Sequence, residues 1–405
     1  MPRTTLALNS FVSGEFSAKM DGRVDFDKYQ SGCKTLQNFL VHPQGAATRR
    51  VGTQFIAEVK NSAKKVRLIP FEFSTTQTYI LEFGDQYMRV YKDKGQVLSG
   101  GSPFEISTPY LEAELFDIKF AQSADVMYLC HPNHDVRKLS RTGHTNWTLA
   151  VCSLTQSSGA TLTISGANNR PSCVSFFEQR LVFANTNNNP QTLWFSKSGD
   201  YENFTTGTNA DDAMIYTIAS NQVNAIQYLK AVRTLIVGTS GGEFTVSADG
   251  TDASITPTNI AIKRQSSFGS SGVDAIPAGN AVLFLQKAKR KIRELAYNFD
   301  SDGYVAPDLT ILNDTVTISG INQMVYQQEP DSIIWCIRDD GILAGLTYQR
   351  SENVVAWHRH IFGGAFGSGN AVCESAASIS GQLTEDELWV IVKRTINGST
   401  KRYVE

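Results

Sequence analysis

Long apolar runs, paired cysteines and an excess of charge are all missing from this chain of 405 residues. No stretch approaches the roughly 18 apolar residues needed to cross a bilayer, and the opening Met1-Pro2-Arg3-Thr4-Thr5-Leu6 lacks the apolar core of a signal peptide. The expectation is a protein without an integral membrane segment, made and kept in the cytoplasm or released by lysis. The acceptor-like triplets at Asn146, Asn203 and Asn397 carry no weight without a secretory route. Six cysteines, Cys33, Cys130, Cys152, Cys173, Cys336 and Cys373, form no Cys-x-x-Cys pair, which argues against zinc ribbons and redox motifs and leaves reduced core thiols. Lys plus Arg number 37 against 39 Asp plus Glu, so no global field draws the chain onto nucleic acid or anionic lipid. Any such contact must be local.

Helical periodicity is scarce as well. Only Asp25 followed by Phe26, Tyr29, Cys33, Leu36 and Phe39/Leu40 has it, and that spacing predicts an amphipathic helix capped by an aspartate. His42-Pro43-Gln44-Gly45 then reads as a type I turn. No helical pattern follows Leu40, which excludes a parallel α/β fold.

What is present instead is short alternation. "VRLIPFEF", "TYILEFG" and "YMRVYKD" succeed one another across turn-length gaps, and similar groups recur to the end of the chain, seven in all. Their starts lie about 50 residues apart, the sign of a repeated sheet. "TLIVGT" and "SIIWCI" are apolar nearly throughout, as strands covered on both faces are, so Trp335 is expected to be buried. The fold class is therefore mainly β: a β-propeller of about six or seven three- to four-stranded blades, with a short N-terminal helix-containing segment. A pair of β-sandwiches is the competing fold. Residues 1–62 read as an N-terminal segment, 63–110 as a sheet unit, platform or first blade, and 111–405 as the propeller. Because "STKRYVE" stops with no turn or polar tail, the closing blade is expected to take a strand from residues beyond it or from the N-terminal segment.

Candidate chemistry is sparse. His131-Pro132-Asn133-His134 with His144 gathers three imidazoles, but the proline and the turn favour loop surface over a metal site. His358 and His360 share one side of a strand and read as a solvated face. Asn298, Asp300, Asp302 and Gly303 fit the start of a calcium loop, yet Leu309 stands where the bidentate glutamate belongs, so an acidic turn is the better reading. "GGAFGSG" (363–369) and "FGSSG" (268–272) lack the ending of a phosphate cradle and read as loops between blades. "KAKRKIRE" (287–294) is the densest basic run and reads as an exposed strand face rather than a nucleic-acid contact. No nucleophile–base pair or carboxylate dyad emerges, so no catalytic residue, cofactor or metal ligand is assigned and the chain reads as a non-enzyme.

The first 60 residues carry a resemblance. Phe11, Ser13-Gly14-Glu15, Gly22-Arg23-Val24-Asp25, Tyr29, Gly32, Asn38-Phe39, Pro43-x-Gly45 and Arg49-Arg50-x-Gly52-Thr53 resemble the opening of the tail nozzle proteins of short-tailed bacteriophages, also called tail tubular protein B. Patches such as "RLIPFEFS", "YILEFGDQYMRVY", "DIKFAQSADVMYLCHP", "RLVFA" and "DYENF" extend it over most of the chain. The resemblance implies a structural protein of the virion tail, made in the host bacterial cytoplasm and assembled as a homohexamer below the head-to-tail adaptor. Genomic DNA would pass along the axis without sequence-specific binding, and a tail fibre or tailspike would dock outside. It also implies an N-terminal surface toward neighbouring subunits or the adaptor, to which Arg23, Asp25, Tyr29, Asn38, Phe39, Arg49 and Arg50 are assigned. The paired arginines have two readings: forked guanidiniums bridging to a neighbouring chain, or pairing with Asp21, Asp25 or Glu58 of their own. A sugar-binding propeller for host-surface recognition is the alternative function, and a propeller hydrolase the third.

Overall fold

A computed structural model of the chain describes residues 8–160, 162–219, 223–250, 253–381 and 385–405. The groups of alternating residues become antiparallel sheets whose strands follow one another in chain order. The first sheet is built on Arg67–Ser74, Gln77–Gly84 and Tyr87–Lys92. The second comprises Lys119–Ser123, Val126–His131, His134–Gly143 and Asn146–Val151, and the third Cys173–Phe177, Arg180–Ala184, Thr192–Phe195 and Met214–Thr217. Ile226–Ala231, Leu235–Thr239, Gly242–Ala248 and Ile260–Ser266 form the fourth; Ile276–Ala278, Ala281–Leu285, Ile292–Asn298 and Gly303–Val305 form the fifth. The sixth runs through Ile321–Gln327, Ile333–Arg338, Leu343–Gln349 and Val354–His360, and the seventh through Phe362–Phe366, Gly369–Ser380, Asp386–Ile396 and Ser399–Val404. This succession of seven small meanders is the blade pattern of a β-propeller.

The chain divides into two compact units. One holds Met1–Val97, Lys289–Lys291 and Asp308–Glu405, with the first, sixth and seventh sheets; the other holds Leu98–Ala288 and Ile292–Pro307, with the second to fifth.

Within each unit the sheets pack face to face. In the second unit Val182, Leu193 and Phe195 of the third sheet meet Leu235, Val237 and Phe244 of the fourth. Tyr228 and Ile236 of the fourth sheet meet Phe284 and Leu295 of the fifth in the same way. In the first unit Leu68, Ile80 and Tyr91 pack on Trp389, Ile391 and Val404, while Trp335, Ile337 and Leu343 pack on Cys373, Val390 and Val392. Covering both faces of a strand is what demands the uninterrupted apolar runs, and each large side chain so buried contributes about 1.5–3 kcal/mol. Trp335 is 3% exposed, as "SIIWCI" foretold.

The seventh sheet takes its outermost strand from the N-terminal segment, one of the two sources expected. Ala57–Glu58 runs antiparallel to Ser399–Val404, with Val404 opposite Ala57 and Tyr403 opposite Glu58. Ile56 N–H and Val59 N–H complete the ladder to Val404 and Arg402 carbonyls.

The long amphipathic helix expected from Asp25 onward does not form. Its place is taken by a 3-10 turn, Asp27–Ser31, preceded by Phe26 rather than capped by Asp25. Gly32–Cys33 then pairs in parallel with Gly14–Glu15, and Phe39–Val41 forms a hairpin with Ala47–Arg49. Backbone bonds to other elements replace the helical i to i−4 ladder, and Leu36 and Val41 bury against Val354 and Ala356. Of the expected apolar positions Cys33 and Leu36 are used in this packing, by an extended chain lying on a sheet, whereas Phe39 is exposed. Gly32 both weakens a helix and allows this packing, since a Cβ there would meet the Phe16 ring at 2.3 Å.

Candidate interaction site

The N-terminal segment is fastened to the outer edge of the sixth sheet by the residues that carry the family resemblance. Gly14 lies at φ 65° with its Cα against the Trp357 backbone, where a Cβ would sit 2.2 Å from Trp357 N, so only glycine fits. Next to it the buried Glu15 carboxylate accepts Leu36 N–H at 2.8 Å and pairs with Arg359 at 2.7 Å. Asn38 takes a left-handed conformation, φ 60°, that asparagine tolerates. Its N–H donates to Arg359 O, its side-chain oxygen accepts Ile361 N–H, and its carbonyl accepts Arg50 N–H. These bonds occupy an edge strand that would otherwise present open donors and acceptors.

The paired arginines diverge from that anchor. Arg50 is half-buried: its guanidinium donates to Val51 O and Ile361 O and lies 5.1 Å from the Phe362 ring centroid. Burial pulls its pKa below the usual guanidinium value. Arg49 faces solvent. Neither meets the carboxylates proposed for them, because Asp21 pairs with Lys34, Asp25 with Arg23 and Glu58 with Lys401. Each of those partners is close to its carboxylate on the folded chain, which the arginines of the 47–49 strand end are not. Tyr29 stacks on Phe16 at 6.1 Å, beside a cleft of about 190 Å³ shared with Met20 and Cys33.

The stretch after the arginines is open. Residues 51–55 have no regular structure and all are exposed, Val51 by 80% and Phe55 by 59%. Phe39, on the strand opposite Arg49, is exposed as well. The exposed Arg49 borders this partly apolar surface.

Both histidine pairs lie elsewhere than the sequence suggested. His358 and His360 are fully buried rather than solvated, because the face of the strand they share is covered by Trp335 and by the N-terminal hairpin. Thr347 donates to Val41 O at 2.7 Å, so it accepts from His358 Nε2 at 3.2 Å, leaving His358 Nδ1 to accept from His360 Nε2 at 2.6 Å. Burial holds His358 at a pKa of about 3; burial, then His358 and Arg50, keep His360 well below the ordinary imidazole value.

His131 and His134 oppose each other across the Pro132–Asn133 turn, and the buried His131 is no loop-surface residue. Glu114, from the 3-10 turn Glu112–Asp117, joins them, whereas His144 is not part of the group. Burial works against ionising Glu114, but the N–H groups of Leu111, His134 and Asn133 outweigh it and bring its pKa down to about 2. Glu114 was invisible to the sequence reading because it lies some distance along the chain; the local signal was a glutamate in the first turn of a helix, reaching back to Leu111 N–H at 2.9 Å.

The remaining motifs are structural. Asn298 and Asp302 spend their side chains on Ser301 N–H and Tyr297 O–H in an ordinary hairpin turn. Residues 363–369 form a hairpin inside the seventh sheet rather than a loop between blades, while 268–272 does link the fourth sheet to the fifth. The basic run is not an exposed strand face: 287–291 is a turn, after which Ile292 and Glu294 bury. Arg293 lies over the Phe268 ring at 3.5 Å and donates to Ala306 O.

No protein-family model matches the chain, and neither does any curated protein. Solved structures do. The β-propeller domain of Cps50 (Swd1) from Myceliophteria thermophila superposes with a TM-score of 0.50 over 87% of this chain and 98% of that one, at 9% identity. The likeness shows the fold, a β-propeller. YCF48 bound to D1 peptide (TM-score 0.46, 10% identity, 86% and 94% covered) and the Pan2 WD40 domain of Neurospora crassa (0.46, 8%, 84% and 89%) are also similar. At such identities the propeller says nothing of function, which has to come from surfaces. Among the described residues no helix is long and apolar enough to cross a membrane.

Proposed function

We propose that this chain is a structural subunit of a short-tailed phage tail, a nozzle protein that assembles as a six-membered ring around the path of the genome. The observation that carries the reading is the N-terminal segment. Gly14, Glu15, Asn38 and Arg50, all within the resembling motifs, hold the segment on the sixth sheet, and the exposed Arg49, Val51 and Phe55 follow immediately. A partly apolar stretch tethered at both ends, by Arg50 to Ile361 O and by Ile56 N–H to Val404 O, is what an assembly contact needs, because less ordering entropy is lost on docking than from a free segment. The head-to-tail adaptor and a tail fibre or tailspike are the further partners in this reading. It places the protein in the virion tail, and DNA passes through without specific contacts.

Sedimentation and electron microscopy of the purified chain, alone and with the adaptor, test the proposal. A six-fold ring with an open axis is expected. A monomer that stays monomeric with the adaptor overturns it, and glycan binding by that monomer would favour a host-surface lectin.

A further inference from the structure

We propose that Glu114, His131 and His134 form a binding site for a divalent first-row transition metal, with Zn²⁺ as the best match to two imidazoles and one carboxylate. The site is built by the fold of the second unit alone. His131 ends one strand and His134 begins the next, directly opposite each other across a two-residue turn, so their side chains leave the same face of the hairpin. Glu114 is brought onto that face by the turn at 112–117, and each of the three offers a ligand atom within 4.8 Å of the other two. Tyr110 lies against both rings, with centroids 6.0 and 5.1 Å away.

The second observation is His131 itself. It is 1% exposed, its Nδ1 accepts only the N–H of the exposed Asn133 at 3.1 Å, and its Nε2 has no hydrogen-bond partner among the described residues. A buried ring nitrogen is normally satisfied, so this imidazole has binding capacity that the fold leaves unspent. His134 Nε2 and Glu114 Oε2 already lie 2.8 Å apart, close enough for one cation to take the place of the proton between them. Tetrahedral zinc with bonds of about 2.1 Å sets its ligand atoms about 3.4 Å apart. The set therefore has to contract by roughly 1.4 Å at its widest, and rotation of the His134 and Glu114 side chains, with Asn133 N–H released to water, supplies that movement. Each nitrogen presents a lone pair to the metal, and the displaced proton leaves to solvent, so binding weakens as the pH falls. Three protein ligands leave further coordination positions for water.

The test uses the full chain without a histidine tag, titrated with Zn²⁺ in a calorimeter and by thermal melting, and with Co²⁺ by visible absorption. One-to-one binding, a raised melting temperature and the ligand-field bands of four- or five-coordinate Co²⁺ are expected. Glu114→Gln and His134→Ala, both at half-buried positions, should weaken binding by at least about 10-fold while His144→Ala leaves it unchanged. Absence of heat, melting shift and bands with the wild-type chain overturns the site. So does binding that persists undiminished in both variants.

Discussion

Two pairs of histidines in this chain have the same residue type and close spacing, and opposite surroundings. His358 and His360 sit on one side of a strand against Thr347, the Trp335 ring and each other, and among the described residues no carboxylate shares a hydrogen bond with them. His131 and His134 face Glu114, which bonds directly to His134. The first pair is held neutral by burial and wired in one direction, from His360 through His358 and Thr347 to Val41 O. The second keeps a carboxylate within reach of two ring nitrogens. Whether an imidazole is a core filler or a ligand is decided by what the next element brings to it, and in both cases that element is distant in sequence.

The comparison breaks most severely at Trp335, whose ring lies 5.1 Å from His360 and whose Nε1 donates to Gln327. Trp335→Ala should cost about 3–5 kcal/mol, read as the loss of denaturation midpoint; an unchanged midpoint would mean that the dry pair needs no lid. Acid comes next. The unfolded chain takes up a proton on His358 below pH 6.5, its ordinary pKa, whereas the folded chain resists until about 3. Stability is therefore complete above pH 6.5 and declines as the pH falls from 6.5 toward 3, by about 1.4 kcal/mol per unit for one such ring. Stability measured at pH 7 and 4.5 should differ by about 2–3 kcal/mol more in wild type than in the His358→Gln variant, which removes that one ring. Equal differences would show that the rings are reached by protons in the native state.

A smaller effect sharpens the packing argument. The His358 ring occupies the space over Gly345, where a Cβ would lie 2.1 Å from its Cε1. Gly345→Ala should destabilise by about 1–3 kcal/mol through overpacking, and a neutral outcome in a melting curve would mean that the ring has room to move. The smallest contrast is between neighbours. Arg50→Ala should cost about 1–3 kcal/mol, since charged hydrogen bonds to Val51 and Ile361 are lost. Arg49→Ala should stay within about 0.5 kcal/mol yet, on the proposed nozzle function, impair ring assembly with the adaptor. Matching stability losses, or an Arg49 variant that assembles normally, would end the division of labour between them.

The seven sheets were legible because strand signals are local: alternation, turn residues and apolar runs are set within a few residues of each other, and "VRLIPFEF" or "SIIWCI" needs no partner to be read. The burial of Trp335 followed for the same reason. From residues 25–40 the sequence yielded some of the apolar positions but the wrong backbone, since Cys33 and Leu36 serve an extended chain lying on a sheet as well as they would serve a helix. Glycine at position 32 was the local hint.

Composition, spacing and repeat thus determined on their own that the chain is mainly β, built from about six or seven small sheets, and supplied the N-terminal motifs on which the functional proposal rests. Tertiary structure alone decided which residues those motifs serve. Glu15 and Asn38 reach across more than 300 residues of chain to Arg359 and Ile361, Arg50 is half-buried while Arg49 is not, and Glu114 joins two histidines it does not neighbour. Hydrogen bonds and ion pairs depend on distances of about 3 Å between side chains. The order of residues along a chain does not encode such distances until the sheets have set them.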